Sequence, residues 1–321
     1  MFSSTLDYLK TQPLGIILIS CLGFLSLFKN STSLLTWLYN IFLRPAKDLR
    51  SYGAWALITG STDGIGKAFA FKLAGMGLNL VLVSRNSTKL KRVSSEIRNE
   101  YPDIDVKIFE LDFSGDVVAG VSRMKEAVKG LDIGVLINNV GVTYPEAMYF
   151  DEVDEKIWMN LVRVNVIGTT FVTGAVVPGM VARGRGAVVN IGSGASAIVP
   201  SHPLYAIYAA TKGYIDQLSR SLYVEYKHYG IDVQCQVPLY VSTKMASQVA
   251  AVGKSSVFVP SADKYVESAI RFIGHDQARC TPYWTHSIQW FFASLLPDSL
   301  LNAWRLSIGL KRIKNTINIH H

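Results

Sequence analysis

"AWALITGSTDGIG", residues 54–66, opens with five apolar residues and turns abruptly into a glycine-rich run. Read as a buried strand, a tight turn and the start of a helix, it begins a β-α-β unit. Gly60 permits the turn, Gly64 lets the backbone approach a pyrophosphate, and Gly66 lets the helix pack closely. The helix N-terminus then offers N–H groups and a positive dipole to phosphates. A glycine-rich turn alone is a weak signal, but between a strand and a helix it makes dinucleotide binding the expectation.

On either side the same alternation continues. "LNLVLVS" (78–84), "DVKIFELD" (105–112), "IGVLINN" (133–139), "GAVVNIG" (186–192) and "DVQCQVP" (232–238) read as strands. Gly64–Met76, Ser87–Tyr101, Asp154–Met180 and Tyr205–Tyr229 read as helices. Strands that alternate with helices predict an α/β fold, a doubly wound parallel sheet of the Rossmann type. Residues 244–262 read as a loop or short-helix insertion, and 287–310 as an apolar, Trp-rich tail split by Pro297 and ended by "KRIK".

The end of the second strand is where an acid holds the ribose 2′-hydroxyl of NAD. Here it reads "VLVSRN", with Ser84 in the place of an acid and Arg85 beside it. A guanidinium pairs bidentately with a phosphate, so NADP(H) is favoured, a solvated surface arginine being the alternative. Asp112 ends the third strand, where it could accept from an adenine amino group or simply cap the following turn.

"YAATK", residues 208–212, sets a phenol and an ammonium four residues apart. On a helix such positions share a face. A phenol with a pKa of about 10 is a sluggish acid at neutral pH, and a nearby ammonium that favours phenolate makes it a better proton donor. Standing alone, the pair is more often a core tyrosine beside a solvated lysine.

The ends of the chain differ from its middle. Hydrophobic residues make up 49% of the sequence and charged ones 17%, which excludes a mostly disordered chain and points to a membrane segment. Three of the eight net positive charges lie in residues 1–50, three in 286–321, and two in the 235 residues between. Charge beside apolar flanks suits an anionic membrane surface, so nucleic acid is not an expected partner. "PLGIILISCLGFLSLF" (13–28) and, after "KNSTS", "LLTWLYNIFL" (34–43) predict an uncleaved N-terminal transmembrane helix, a signal peptide being the rival reading. The first run is slightly short for a span. Lys29, Arg44, Lys47 and Arg50 follow it and place the rest of the chain in the cytosol. Cys21, Cys235 and Cys280 are isolated, with no metal-ligand spacing, and read as fillers in a reducing compartment.

In order, TGxxxGIG, the "NNxG" turn of Asn138, Asn139 and Gly141, "NVIGT" with Asn165, a serine after the fifth strand, and YxxxK resemble the short-chain dehydrogenase/reductase family over roughly residues 53–285. Within it, the N-terminal anchor, "LRPAKDLRSYGAWALITGSTDGIGKAFAFKLA", "SGDV", "DVQCQVPLYVSTKM" and "CTPYW" look like the membrane-bound 3-oxoacyl-CoA reductases of very-long-chain fatty acid elongation, most of all the plant members. That subgroup is close to vertebrate enzymes also described as 17β-hydroxysteroid dehydrogenases.

The resemblance implies a tetrad of Asn165, Ser193, Tyr208 and Lys212. Tyr208 would protonate a ketone oxygen, Ser193 would hydrogen-bond it, Lys212 would also hold the nicotinamide ribose, and Asn165 would anchor a water relay. Ser196 is the alternative serine, Ser193 being preferred because it follows "NIG" at the strand end. The implied cofactor is NADPH, held by Gly60, Ser61, Thr62, Asp63, Gly64, Ile65, Gly66, Arg85, Asp112, Asn139, Tyr208, Lys212 and Thr243. Val140, in place of the usual alanine of NNAG, and Leu239, in place of the glycine of a common PG pair, depart from the wider pattern.

The implied reaction reduces long-chain 3-oxoacyl-CoA on the cytosolic face of the endoplasmic reticulum membrane, alongside the condensing enzyme, dehydratase and enoyl reductase of the elongation complex. A steroid or other lipophilic ketone reductase, and a non-catalytic scaffold paralogue, are the alternatives. The expected division is an N-terminal segment (1–12), a membrane anchor with its juxtamembrane stretch (13–43), a basic linker (44–52), the Rossmann domain (53–285) and an apolar tail (286–321), read either as a membrane-interfacial element or as a helix that closes the domain or makes a dimer contact.

Overall fold

The computed structural model of the protein describes residues 13–250 and 254–319, so the expected N-terminal segment 1–12 lies outside the described residues. The chain divides into two compact units, Met1–Pro45 and Ala46–His321.

In the first unit, helix α1 spans Leu14–Leu38 and passes into a π-wound turn over Tyr39–Leu43. The polar "KNSTS" was expected to separate two apolar runs, but it is part of the helix. Thr32 Oγ1 donates back to the carbonyls of Phe28 and Lys29 at 3.0 and 2.9 Å, which satisfies its hydroxyl without breaking the backbone ladder. The 25 residues of α1 reach about 38 Å at about 1.5 Å per residue. This helix is long and apolar enough to cross a bilayer.

In the second unit, parallel strands alternate with helices. They are β1 (Trp55–Thr59), α2 (Gly64–Gly75), β2 (Asn79–Ser84), α3 (Ser87–Glu100), β3 (Val106–Glu110), α4 (Val117–Ala127) and β4 (Ile133–Asn138). Then come α5 (Glu155–Leu161), α6 (Thr169–Arg183), β5 (Gly186–Ile191), the single turn α7 (Gly194–Ala197), α8 (Ala206–Tyr226) and β6 (Ile231–Gln236). Last are α9 (Lys244–Ala250), α10 (Ala262–Ile270), β7 (Arg279–Cys280), α11 (Trp284–Ser294) and α12 (Asp298–Ile319).

The sheet order is β3-β2-β1-β4-β5-β6-β7, the doubly wound arrangement expected from the sequence. Alternate strand residues feed opposite faces. Ile58, Leu80 and Leu82 join one buried cluster with residues of α2, α3 and α10, while Leu57, Val81 and Val83 join another with residues of α4 and α6. The order reverses between β1 and β4, and the crevice beyond their carboxyl ends is where such folds bind ligands.

Several expectations about the chain's organisation need correction. The single helix expected over Asp154–Met180 contains a π-wound turn, Val162–Gly168, between α5 and α6. The "basic linker" is part of the fold: Leu49 and Tyr52 are buried in the first cluster, because the apolar residues between Lys47, Asp48 and Arg50 turn inward. The C-terminal tail, for which a helix closing the domain was one of the readings, packs on this unit. Leu301, Arg305 and Gly309, four apart on α12, are buried, and a side chain at Gly309 would run into Leu204.

Candidate active site

The loop between β1 and α2 is shaped by close approach. Gly60 and Gly64 have φ of +66° and +52°. A Cβ at Gly66 would collide with the Gly60 carbonyl and the Asn139 amide, and one at Gly64 would meet Thr243 Cγ2 at 3.1 Å. Only glycines let β6's following loop and the end of β4 crowd this helix start. Asn139 fastens the two strand ends together, its Nδ2 donating to the carbonyls of Thr59 at 3.1 Å and Gly60 at 3.2 Å. Ser61 is buried with its hydroxyl toward the Val83 carbonyl, and Ile65 packs on the first core cluster. A cleft of about 740 Å³ opens alongside, lined in part by Asp63, Gly64, Thr243 and Lys244.

Two acids expected near the cofactor hold partners within the protein. Asp63 caps α2 by accepting from Gly64 N at 2.9 Å and pairs with Lys244 at 3.0 Å and Lys89 at 3.7 Å. Partial burial opposes its ionisation, but Lys244 and the other partners outweigh that and hold its carboxyl below the usual range. Asp112 accepts from Ser114 N at 2.9 Å and Ser114 Oγ at 2.7 Å, which is the turn-capping alternative. The Ser114 backbone bond is the main reason its carboxyl is held low, with Arg85 contributing. At the end of β2, Ser84 Oγ and Thr62 Oγ1 share a hydrogen bond of 3.0 Å. Arg85 is exposed, and no ion pair holds it among the described residues.

The four residues of the implied tetrad converge beyond the ends of β4 and β5. Asn165 sits in the π-wound turn, a feature frequent at functional sites. Its Oδ1 accepts from Val142 N at 2.8 Å, and its Nδ2 donates to the Val142 carbonyl at 2.9 Å and to Thr211 Oγ1 at 3.0 Å. Lys212 is buried and donates to the Ile191 carbonyl at 2.9 Å. Gly141 lies between them: a Cβ there would be 3.4 Å from Asn165 Oδ1 and 3.5 Å from Lys212 Nζ. Burial lowers the Lys212 pKa to about 8.

Ser193 caps α7, its Oγ accepting from Ala195 N at 3.1 Å, and it lies within hydrogen-bonding reach of the Tyr208 phenol. Ser196 bonds instead to the Ser193 carbonyl at 3.4 Å. Lys212 was expected to draw the Tyr208 pKa down, yet burial pushes that phenol up, Ser193 offsets part of the rise, and Tyr240 adds to it. The lysine stem runs to the end of β5, so its ammonium serves a carbonyl there. Val140 donates its N–H to Thr59 Oγ1 at 3.1 Å and packs its side chain on the second core cluster.

Tyr240 was missed from sequence, although "PLY" in place of PG was its signal. Leu239 N donates to His286 Nδ1 at 3.3 Å, and His286 Nε2 lies 3.2 Å from the Tyr240 carbonyl, which fixes this stretch to the start of α11. Burial lowers the His286 pKa to about 4, consistent with a neutral ring that accepts at one nitrogen and donates at the other. From α12, Arg312 donates to Tyr240 Oη at 2.9 Å, and Arg305 donates to His202 at 2.7 Å.

A family model described as short chain dehydrogenase matches residues 54–252. The chain is 54% identical over 304 residues to an Arabidopsis thaliana protein named very-long-chain 3-oxoacyl-CoA reductase-like protein, covering 94% of this chain and 96% of that one. It is 41% identical to the very-long-chain 3-oxoacyl-CoA reductase of Rattus norvegicus, covering 76% of each, and 41% identical to the inactive hydroxysteroid dehydrogenase-like protein 1 of Homo sapiens, covering 78% of this chain and 75% of that one. Among solved structures, a short-chain dehydrogenase from Sphingobium yanoikuyae in complex with NADPH superposes with a TM-score of 0.66 at 27% identity, over 75% of this chain and 92% of that one. Fold, glycine loop and similarity over most of its length agree: the chain belongs to the short chain dehydrogenase family and is a nicotinamide-dependent oxidoreductase.

Proposed function

We propose that the protein reduces a long-chain 3-oxoacyl-CoA to the 3-hydroxyacyl-CoA with NADPH at the cytosolic face of the endoplasmic reticulum membrane. The observation that carries this reading is the convergence of Ser193 on Tyr208, with Lys212 and Asn165 on either side of Gly141. Identity alone does not decide it, since the rat reductase and the inactive human protein are equally similar to this chain.

Gly60, Gly64 and Gly66 let the chain turn tightly into α2, whose N-terminus offers N–H groups and a positive dipole to a pyrophosphate, and the exposed Arg85 is free to take a 2′-phosphate, for which NAD has no counterpart. When bound, NADPH supplies the hydride. Tyr208 gives its proton to the ketone oxygen, and Ser193 donates a hydrogen bond as negative charge develops there. A phenol raised by burial stays protonated at neutral pH, which suits a proton donor in the reducing direction. Asn165 holds the backbone at Val142 next to this centre.

Membrane attachment fits a substrate with a long acyl chain. Besides α1, the C-terminal helices expose Phe291, Phe292, Leu295, Leu296 and Trp304, an apolar surface suited to the lipid interface. The deciding assay is NADPH oxidation by the purified protein with 3-oxoacyl-CoA beside a panel of steroid ketones. Turnover with the thioester, reduced by orders of magnitude in Tyr208→Phe with NADPH binding intact, supports the reading. Steroid turnover alone, or turnover of neither, rejects it.

A further inference from the structure

The inward face of helix α12 is not purely apolar, although Leu301, Leu310 and Ile313 lie on it. Its inward face carries Arg305, 9% exposed, and Arg312, while Leu300 and Trp304 face outward at 53% and 51%. Burying guanidinium groups costs free energy unless they do something that an apolar residue cannot. Both reach toward Tyr240. Arg312 Nη2 donates to its oxygen at 2.9 Å, and Arg305 lies close enough to act on it as well.

A guanidinium only donates, so Tyr240 Oη accepts from Arg312 and its own proton must go elsewhere. Among the described residues, no acceptor takes that proton. The two arginines outweigh the effect of burial and hold the Tyr240 phenol below its usual pKa, which makes its O–H a stronger donor. The ring is held in place: Arg312 bonds its hydroxyl end, with the guanidinium carbon 5.9 Å from the ring centre, and His286 fixes its backbone. Tyr240 is tied to the Tyr208 side of the fold through α12: Arg312, which bonds its oxygen, is flanked on that helix by Leu310 and Ile313, which share a hydrophobic cluster with Tyr208.

The site therefore has a second, unused hydrogen-bond donor beside the proton donor. We propose that Tyr240, polarised by Arg312 and Arg305, donates a hydrogen bond to a second carbonyl oxygen on the substrate, the thioester carbonyl two carbons from the ketone being reduced. This rests on the 3-oxoacyl thioester reading and makes Tyr240 the residue that distinguishes a 1,3-dicarbonyl compound from an isolated ketone. A ketone with no such carbonyl leaves the phenol proton without an acceptor in a half-buried site, which counts against its binding.

The test is direct binding by calorimetry in the presence of NADP⁺, which reads recognition without turnover. The two ligands are a 3-hydroxyacyl-CoA and its thioether, in which CH₂ replaces the thioester carbonyl. Wild-type protein should bind the thioester about 10- to 100-fold more tightly, the range of a charge-assisted hydrogen bond. Tyr240→Phe, which keeps the ring and loses only the hydroxyl, should bind the two alike, and Arg312→Lys should fall between. A wild-type protein that binds both equally, a Tyr240→Phe variant that keeps the full preference, or one weakened equally toward both would each overturn the inference. Failure of the reductase reading is seen separately, as absence of NADPH oxidation by wild-type protein with any 3-oxoacyl-CoA.

Discussion

Lys212 and Tyr208 lie one turn apart on α8, but no hydrogen bond joins them: the ammonium donates to the Ile191 carbonyl at 2.9 Å while the phenol is turned to Ser193. Burial holds Lys212 at a pKa of about 8, against about 10.4 for a free lysine. Between these values the unfolded chain binds more protons than the folded one, so this residue's penalty on stability is full below pH 8 and is relieved as pH rises toward 10.4. At about 1.4 kcal/mol per unit the relief amounts to roughly 3 kcal/mol. Cofactor-free wild-type protein should gain that much stability relative to Lys212→Met across this pH window in chemical denaturation. A constant difference between the two proteins would mean that Lys212 does not titrate there.

Arg85 stands exposed beside Ser84, which takes the place of an acid at the end of β2. A guanidinium on a phosphate supplies about 1.5–3 kcal/mol, so Arg85→Ala should raise the KM for NADPH roughly 10- to 100-fold and leave that for NADH within about twofold. Steady-state kinetics with each cofactor provides the comparison. Equal effects on both would make Arg85 a surface residue.

Leu239 and Gly194 are coupled by volume. A Cβ on Gly194 would run into Leu239 Cδ2 directly beside Ser193, so the leucine that replaces a common glycine requires a glycine opposite it. Gly194→Ala should cost about 1–3 kcal/mol through overpacking. Adding Leu239→Ala should recover most of that loss, a coupling visible in a double-mutant cycle of thermal unfolding. Additive losses would place the strain elsewhere.

What could be read from the sequence depended on the distance over which each signal acts. The glycine loop and the strands declare themselves within a few residues, through spacing and period. By contrast, Arg312 and Tyr240 are 72 positions apart and Arg305 and His202 103 apart, so nothing local pairs them. β7 is only two residues long and is defined by its pairing with β6. The polar "KNSTS" reads as a break because its hydroxyl bonds to the preceding turn become visible only in three dimensions. Lys47, Asp48 and Arg50 disguise Leu49 and Tyr52, which share their stretch and carry its packing.

That disguised stretch determines where the anchor can be removed. Leu49 is fully buried, Tyr52 hydrogen-bonds Asp232 through its hydroxyl, and Arg185 Nε donates to the Tyr52 carbonyl at 3.2 Å. Asp232 and Arg185 stand at the amino ends of β6 and β5, opposite the carboxyl ends that carry the site, so the segment braces the sheet without touching the chemistry. A chain beginning at Ala46 should fold and reduce a short, soluble 3-oxoacyl-CoA as well as the full protein does. One beginning at Ala54 loses a buried leucine among other contacts and should be at least about 2–5 kcal/mol less stable. Equal stability of the two truncations would show that the brace is unimportant. On membranes the shorter cut should still fail selectively: each CH₂ gains about 0.8 kcal/mol by leaving water, so longer substrates stay in the bilayer, where an untethered enzyme must find them. The ratio of full-length to truncated kcat/KM should therefore rise with chain length, whereas a flat ratio would show that the anchor has no part in substrate access.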